Sequence, residues 1–274
     1  MSQPENQNVL NPVREDAQNE KERRIVKEFE IAASVDAVWK ALTDGHELTK
    51  WFPLEARVTG GLGGTIFLSW GPDCEGEADI VAWEPGKKFA WREPMALNEW
   101  TIEARGGKTL VRLVQSGFAG EADWENEYFD STNYGWSFML ASLRLMLEKH
   151  PHEERHVAWP RVRTTLSREQ AYRKAMAPNG IFVEDPNPEL QPEKSYSLKT
   201  TINETYSGNV EFVWENRGFC VTVRELNDAL FWLTIEGAPG KIEAQIWLSA
   251  FGVPEEEVNA FHKTWESRLE NIFA

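Results

Sequence analysis

The chain has little cysteine, little basic charge and no long apolar run. Its two cysteines, Cys74 and Cys220, lie far apart among 274 residues. That excludes a disulfide-stapled scaffold and fits two reduced, structural thiols in a cytoplasmic protein. Lys and Arg number 29 against 44 Asp and Glu, a net charge of −15. Nucleic acids and anionic membranes are bound through clustered basic residues. No basic run extends beyond Lys21 to Arg24, so neither is an expected partner. No apolar stretch approaches the roughly 20 residues of a membrane-spanning helix. The opening MSQPENQNVLNPVREDAQNE also lacks the apolar centre of a signal peptide.

Catalytic signatures are missing as well. There is no Gly-x-Ser-x-Gly, no HExxH and no cysteine beside a plausible histidine. Gly60, Gly61, Gly63 and Gly64 in VTGGLGGTIFLSW resemble a phosphate cradle. A dinucleotide fingerprint needs a helix after the glycines, to hold the pyrophosphate on its N-terminus. Here Thr65-Ile66-Phe67-Leu68 is strand-like, so the glycines are expected to turn the chain between strands at positive φ. His150, His152 and His156 stand close in HPHEERH, but they follow a long helix and no cysteine supports a metal site. No cofactor is expected.

What the chain does have is aromatic residues in a meander of short strands. There are thirteen tryptophans, which must be buried or line something. Residues 1–20 read as a polar, disordered tail. RIVKEFEI then alternates as a strand, anchored by Ile25, Phe29 and Ile31. Ser34 suits a helix N-cap, and Val35, Val38, Trp39 and Leu42 share one face. A short helix at about 44–50 precedes strands near 54–59, 64–70, 77–84, 87–93, 98–105 and 108–116. From about Tyr128 to Lys149 the period becomes helical, with Phe129, Trp136, Leu140, Leu143 and Leu147 as a stripe that includes Asn133. Such a helix must cover the sheet.

The pattern then repeats. SVDAVWKALT is echoed by SREQAYRKAMA, IVAWEPGKKF by EFVWENRGF, and EWTIEARGGK by FWLTIEGAPGK. Ser34 and Ser167 are 133 positions apart, as are Thr101 and Thr234, and Trp83 and Trp214 are 131 apart. Matches in order at nearly one offset predict an internal tandem duplication. The second copy closes on a helix at 254–273, with Val258, Phe261, Trp265, Leu269 and Ile272 inward. The expected organisation is a domain at 21–152, a linker at 153–157 and a divergent second domain at 158–274. The second copy has Ile181-Phe182 where the first has Trp51-Phe52, followed by the polar EDPNPELQPE, and it is expected to serve in packing or dimerisation.

The first copy resembles a known family. AVWKALTDGHELTKWF, GGTIFLSW, a Trp-bearing hairpin and DWENEYFDSTNYGWSFMLASLRLMLE together resemble the START-like SRPBCC superfamily over about residues 24–149. Within it, the likeness is to the branch named for homologues of the heat-shock-protein-90 ATPase activator. The resemblance implies an α+β helix-grip fold, a curved antiparallel sheet wrapped around a long C-terminal helix with a pocket between them. It does not imply one activity. Apolar pockets with a few polar groups are the usual ligand sites. The candidate lining is Trp51, Phe52, Phe67, Trp70, Trp91, Trp100, Leu113, Asn133, Trp136, Ser137 and Leu140. Parity leaves open which of Phe67 and Leu68 faces inward. The expected function is non-enzymatic binding of a small apolar or aromatic molecule or a lipid. The alternatives are a co-chaperone-like protein-interaction module, with a protein partner or homodimer, and a pocket hydrolase or cyclase.

Overall fold

Short strands separated by glycine turns dictate an antiparallel meander, and the computed structural model contains one in each half of the chain. The structure describes residues 23–72, 74–118, 120 and 122–274. The expected polar tail at 1–20 lies outside the described residues. The chain divides into two units, one ending at Pro151 and the other beginning at His152.

The first unit runs β1 (Arg23–Ile31), α1 (Val35–Thr43), α2 (Gly45–Thr49), β2 (Glu55–Thr59), β3 (Thr65–Ser69), β4 (Glu75–Glu84), β5 (Lys88–Arg92), β6 (Leu97–Arg105), β7 (Lys108–Phe118) and α3 (Asp123–Lys149). The strands form one antiparallel sheet in the order β1-β7-β6-β5-β4-β3-β2. Ser34 caps α1 by accepting from the Ala37 amide at 3.2 Å. Asp44 caps α2 in the same way, from the Glu47 amide at 3.0 Å. The Trp51 indole then donates to Ala41 O at 2.8 Å, pinning the chain after α2 against α1.

The long helix starts at Asp123, five residues ahead of the apolar signal. Its first turns are polar, so hydrophobic periodicity does not reveal them. Asp123 and Glu125 favour a helix N-terminus by charge, and Glu125 also accepts from the Ala122 amide at 3.1 Å. Trp136, Leu140 and Leu143 are buried as the stripe requires, while Phe129 and Leu147 are half-buried. Tyr134, Phe138, Ser142 and Leu145 are buried too, so the buried surface is wider than one stripe.

The second unit runs β8 (Arg155–Ala158), β9 (Arg161–Thr164), α4 (Arg168–Met176), β10 (Ser195–Lys199), β11 (Thr205–Trp214), β12 (Gly218–Val223), β13 (Ala229–Glu236), β14 (Ile242–Phe251) and α5 (Glu255–Phe273). Its sheet order is β10-β11-β12-β13-β14-β8, with β9 also on β14. Of the segment expected as a linker, 153–157, residues 155–157 lie on β8. Pro160 separates β8 from β9, because it has no amide to give the ladder, yet its carbonyl still accepts from the Ile246 amide at 3.0 Å. In both units the N-terminal strand pairs with the last strand and a helix follows that last strand. Ser34 and Ser167 cap the first helix of their units. Thr101 and Thr234 lie on β6 and β13, each the strand before the last in its sheet. On α5, Val258, Phe261, Trp265, Leu269 and Ile272 are all buried. Trp265 reaches into the core and donates to Tyr206 Oη at 3.2 Å.

The glycine run joins β2 to β3. Gly63 has φ +79°, and a Cβ on Gly64 would lie 1.9 Å from Thr59 O. The loop exchanges backbone bonds with Ile80 of β4, Gly63 N to Ile80 O at 2.9 Å and Ile80 N to Gly64 O at 2.8 Å. Gly63→Ala meets no atom within 4 Å and is expected to lose about 1 kcal/mol, from the left-handed backbone alone. Gly64→Ala must displace the loop and is expected to lose about 3 kcal/mol. Urea unfolding of the two variants checks that order.

Candidate functional site

Strand register decides which side chains meet beneath α3. Lys27, Leu113, Trp100 and Phe89 are successive cross-strand neighbours on β1, β7, β6 and β5. The adjacent row is Ile25, Gln115, Asn98, Trp91 and Ile80. All of these residues are buried. An otherwise apolar sheet face therefore carries an amine and two amides.

The helix supplies their partners. Lys27 Nζ donates to Ser137 Oγ at 3.1 Å, and Ser137 Oγ donates to Asn133 O at 3.3 Å. The Trp136 indole donates to Gln115 Oε1 at 2.6 Å. At the end of β5, Glu93 Oε1 accepts from Trp91 Nε1 at 3.0 Å and from Asn98 Nδ2 at 3.2 Å. Among the described residues, Trp100 Nε1, Asn98 Oδ1 and Asn133 Oδ1 are buried here without a hydrogen-bond partner, as is Ser142 Oγ further along α3. Asn133 is one helical turn before Trp136 and Ser137, so it shares their sheet-facing side. A buried polar group without a partner costs about 1–3 kcal/mol, and those of Trp100, Asn98 and Asn133 fall on the facing surfaces of β6 and α3.

Aromatic rings wall this polar set. Trp51 stacks on Phe52 with centroids 4.9 Å apart, and Phe52 stacks on Trp136 at 5.0 Å. Trp70 meets Phe52 edge-on at 5.0 Å. Trp100 is edge-on to Trp51 at 6.0 Å and to Trp136 at 5.6 Å, and stacks with Trp91 at 6.3 Å. Of the eleven candidate residues, Trp51, Phe52, Trp70, Trp91, Trp100 and Trp136 thus form one connected cluster. Leu113, Ser137 and Leu140 are buried, and Asn133 is half-buried with its Oδ1 enclosed. Phe67 is a correction. It stands on the opposite face of β3 under the Arg57 guanidinium, 3.8 Å from the ring centroid, while Leu68 is the buried neighbour. A continuous apolar run such as TIFLSW carries no parity signal.

Lys27, Gln115, Asn98 and Glu93 went unnoticed in the sequence. The signal was present for Lys27: residues 25, 27, 29 and 31 lie on one face of a strand, so Ile25 and Phe29 bracket an inward lysine. Burial holds its amine down at about 8, against an ordinary 10.5. Toward the N-terminal end of α3, desolvation and then the Glu93 carboxylate raise the pKa of both Cys74 and Tyr128. Glu93 also borders an open cleft of about 750 Å³ with Glu77, Asp79, Arg92 and Met95. It therefore connects the interior polar set to a solvent-facing surface. Elsewhere, His150 caps the C-terminus of α3 and His156 lies on β8. Among the described residues, no three His, Cys, Asp or Glu side chains are grouped to hold a metal ion.

Residues 32–148 match the family model described as activator of Hsp90 ATPase homolog 1-like protein. The match spans less than half of the chain. All eleven candidate residues fall inside it, and Lys27 falls outside it. The chain is similar to the Aha1 dimer of Colwellia psychrerythraea in its solution structure, with 23% identity over 47% of this chain and 98% of that one, TM-score 0.42. It is also similar to a conserved protein of unknown function from Enterococcus faecalis, 22% identical over 49% and 75% of the two chains, TM-score 0.42. A Bacillus halodurans protein is 19% identical over 47% and 99%, again with TM-score 0.42. No curated protein matches the chain. Among the described residues, no helix is long and apolar enough to cross a membrane.

Lysine burial has a thermodynamic signature. Below pH 8 the folded state carries a desolvated charge, whereas the unfolded chain stays protonated up to 10.5. Between those values the unfolded state binds more protons, so this group's contribution to stability rises with pH. Lys27→Met is expected to stabilise the first unit by up to about 3 kcal/mol at neutral pH, with the advantage shrinking between pH 8 and 10. Unfolding curves of both proteins at several pH values measure it.

Proposed function

We propose that the first unit binds a small apolar or aromatic molecule, a lipid included, between its sheet and α3. The observation that carries this reading is the set of partnerless polar atoms, Trp100 Nε1, Asn98 Oδ1 and Asn133 Oδ1, inside an aromatic wall. A ligand with a few polar atoms would satisfy them and bury its apolar body against the rings. Trp51, Phe52, Trp91, Trp100, Leu113, Trp136 and Leu140 are its apolar lining on this reading, Trp70 stands at the edge, and Ser137 and Asn133 are polar contacts from the helix.

The second unit is proposed as a divergent tandem copy that serves as a partner surface rather than a second pocket. Its support is the antiparallel meander in each unit, closed by pairing of N-terminal and last strands, and the like positions of Ser34 and Ser167. A cytoplasmic, acidic, ligand-binding protein is the setting this implies, with homodimerisation as one use of the second unit. A co-chaperone-like contact is the second reading, favoured by the description of the matched family model. Stimulation of a chaperone ATPase by the purified protein separates the two.

Native mass spectrometry of freshly purified protein is expected to show a bound small molecule. A ligand held at a hundred times its Kd should stabilise the protein by about 3 kcal/mol, visible as a higher melting temperature. Leu140→Trp, which fills the interior, is expected to abolish the shift. No bound mass and no shift across a panel of apolar compounds would reject the reading.

A further inference from the structure

The partnerless atoms between β6 and α3 form a set with a definite hydrogen-bonding character. Asn98 and Trp100 are two positions apart on β6, so their side chains leave the same sheet face. They are 1% and 0% exposed. The Asn98 amide has one orientation open to it. Its Nδ2 donates to Glu93 Oε1 at 3.2 Å, and an ionised carboxylate only accepts, so Oδ1 is turned the other way. Among the described residues, that Oδ1 and Trp100 Nε1 have no hydrogen-bond partner, and neither has Asn133 Oδ1 on α3. The set is therefore two carbonyl acceptors and one N–H donor. We infer that the ligand carries a primary carboxamide on an apolar or aromatic body, its two N–H groups donating to Asn98 Oδ1 and Asn133 Oδ1 and its carbonyl accepting from Trp100 Nε1. The inference rests on the reading that this unit binds a small apolar molecule, and it specifies that molecule's polar end.

The physical argument is one of matching. A primary carboxamide supplies two N–H donors and one carbonyl acceptor. A carboxylate has no donor for either asparagine, a protonated amine has no acceptor for the indole, and a hydroxyl has one proton for two acceptors. Burial also favours a neutral group, because a charge loses its hydration there. The polar atoms around the set are bonded to one another. Gln115 Oε1, beside Asn98 in the cross-strand row, accepts from Trp136 Nε1 at 2.6 Å. Trp91 Nε1, on the other side of Asn98, donates to Glu93 Oε1 at 3.0 Å. Ser137, one turn beyond Asn133, bonds to Lys27 Nζ and to Asn133 O. These bonds fix the side chains that surround the three atoms and leave the three atoms themselves for a ligand. The Trp91 and Trp100 rings, with centroids 6.3 Å apart, and Trp136, edge-on to Trp100 at 5.6 Å, supply the apolar contact around the amide. A buried N–H or C=O left unmet costs binding free energy, so such a site separates a group that meets all three atoms from one that meets a single atom.

The test uses the full chain and two isosteric pairs of probes, 1-naphthylacetamide with 1-(1-naphthyl)propan-2-one and octanamide with nonan-2-one, followed by isothermal titration calorimetry. Each ketone keeps the carbonyl of its amide and has a methyl in place of the NH2. The amides are expected to bind at least about tenfold tighter than their ketones, a difference on the scale of two neutral hydrogen bonds. Asn98→Leu removes one acceptor at nearly constant volume, and should cut that preference about fivefold while leaving the ketones unchanged. Asn133→Leu, at a half-buried helix position, should do the same, and it serves where Asn98→Leu does not fold. Trp100→Phe removes the donor that both members of a pair use, so it should weaken amide and ketone alike, by about fivefold. Amides and ketones that bind the unsubstituted protein equally well, as a site kept for water predicts, would overturn the carboxamide inference and leave the apolar-ligand reading standing. A preference untouched by both asparagine substitutions would overturn it too. If none of the four probes binds the unsubstituted protein, both are rejected.

Discussion

Side-chain hydrogen bonds between sheet and helix hold the two halves of the candidate site together, Lys27 to Ser137 and Trp136 to Gln115. Lys27 Nζ on β1 donates to Ser137 Oγ on α3 at 3.1 Å, at a point where almost everything else is hydrocarbon. Around it the aromatic rings pack into one connected wall, and behind it Gln115 accepts from Trp136 while Asn98 donates to Glu93. The apolar shell explains why the amine is hard to charge, and the amine gives the shell a polar focus. Removing either changes what the other can do.

That arrangement works against stability. A helix gripped by a sheet would be best served by a fully apolar interface, with each buried Leu or Phe contributing about 2 kcal/mol. Here three inward positions on neighbouring strands are polar, and among the described residues Trp100 Nε1, Asn98 Oδ1 and Asn133 Oδ1 lack hydrogen-bond partners. Natural domains depart from the best-packed solution chiefly at functional sites. The second unit offers a contrast. It too is an antiparallel meander with its N-terminal strands on the last one, but the inner face of its sheet packs against α5 through Phe219, Phe231, Phe261 and Trp265, and the Trp265 indole is satisfied by Tyr206.

Much of this was legible in the residues. Glycine-rich joints gave the meander, Ser34 and Ser167 marked two helix starts, and the stripe from Val258 to Ile272 marked α5. Three features were not legible, each for its own reason. TIFLSW is apolar at successive positions, so only pairing with β2 and β4 tells that Leu68 faces inward and Phe67 outward. The start of α3 is polar and gives no period. Strand β8 begins at the end of HPHEERH, where charge and histidine hide the start of a strand that backbone pairing with β14 creates. Lys27 is a different case. Alternation placed it inside, but a reading that looks for apolar anchors passes over a lysine. Which polar atoms end up without partners depends on register across three strands and on the helix above them, which no local pattern carries.

The most direct measurement is the titration of Lys27 itself. In protein labelled with carbon-13 at lysine Cε, the Lys27 resonance, assigned by its loss in Lys27→Met, is followed as pH rises. An amine enclosed as described titrates with a midpoint at about 8. A midpoint near the ordinary 10.5 would place Lys27 in water and contradict the account of the site.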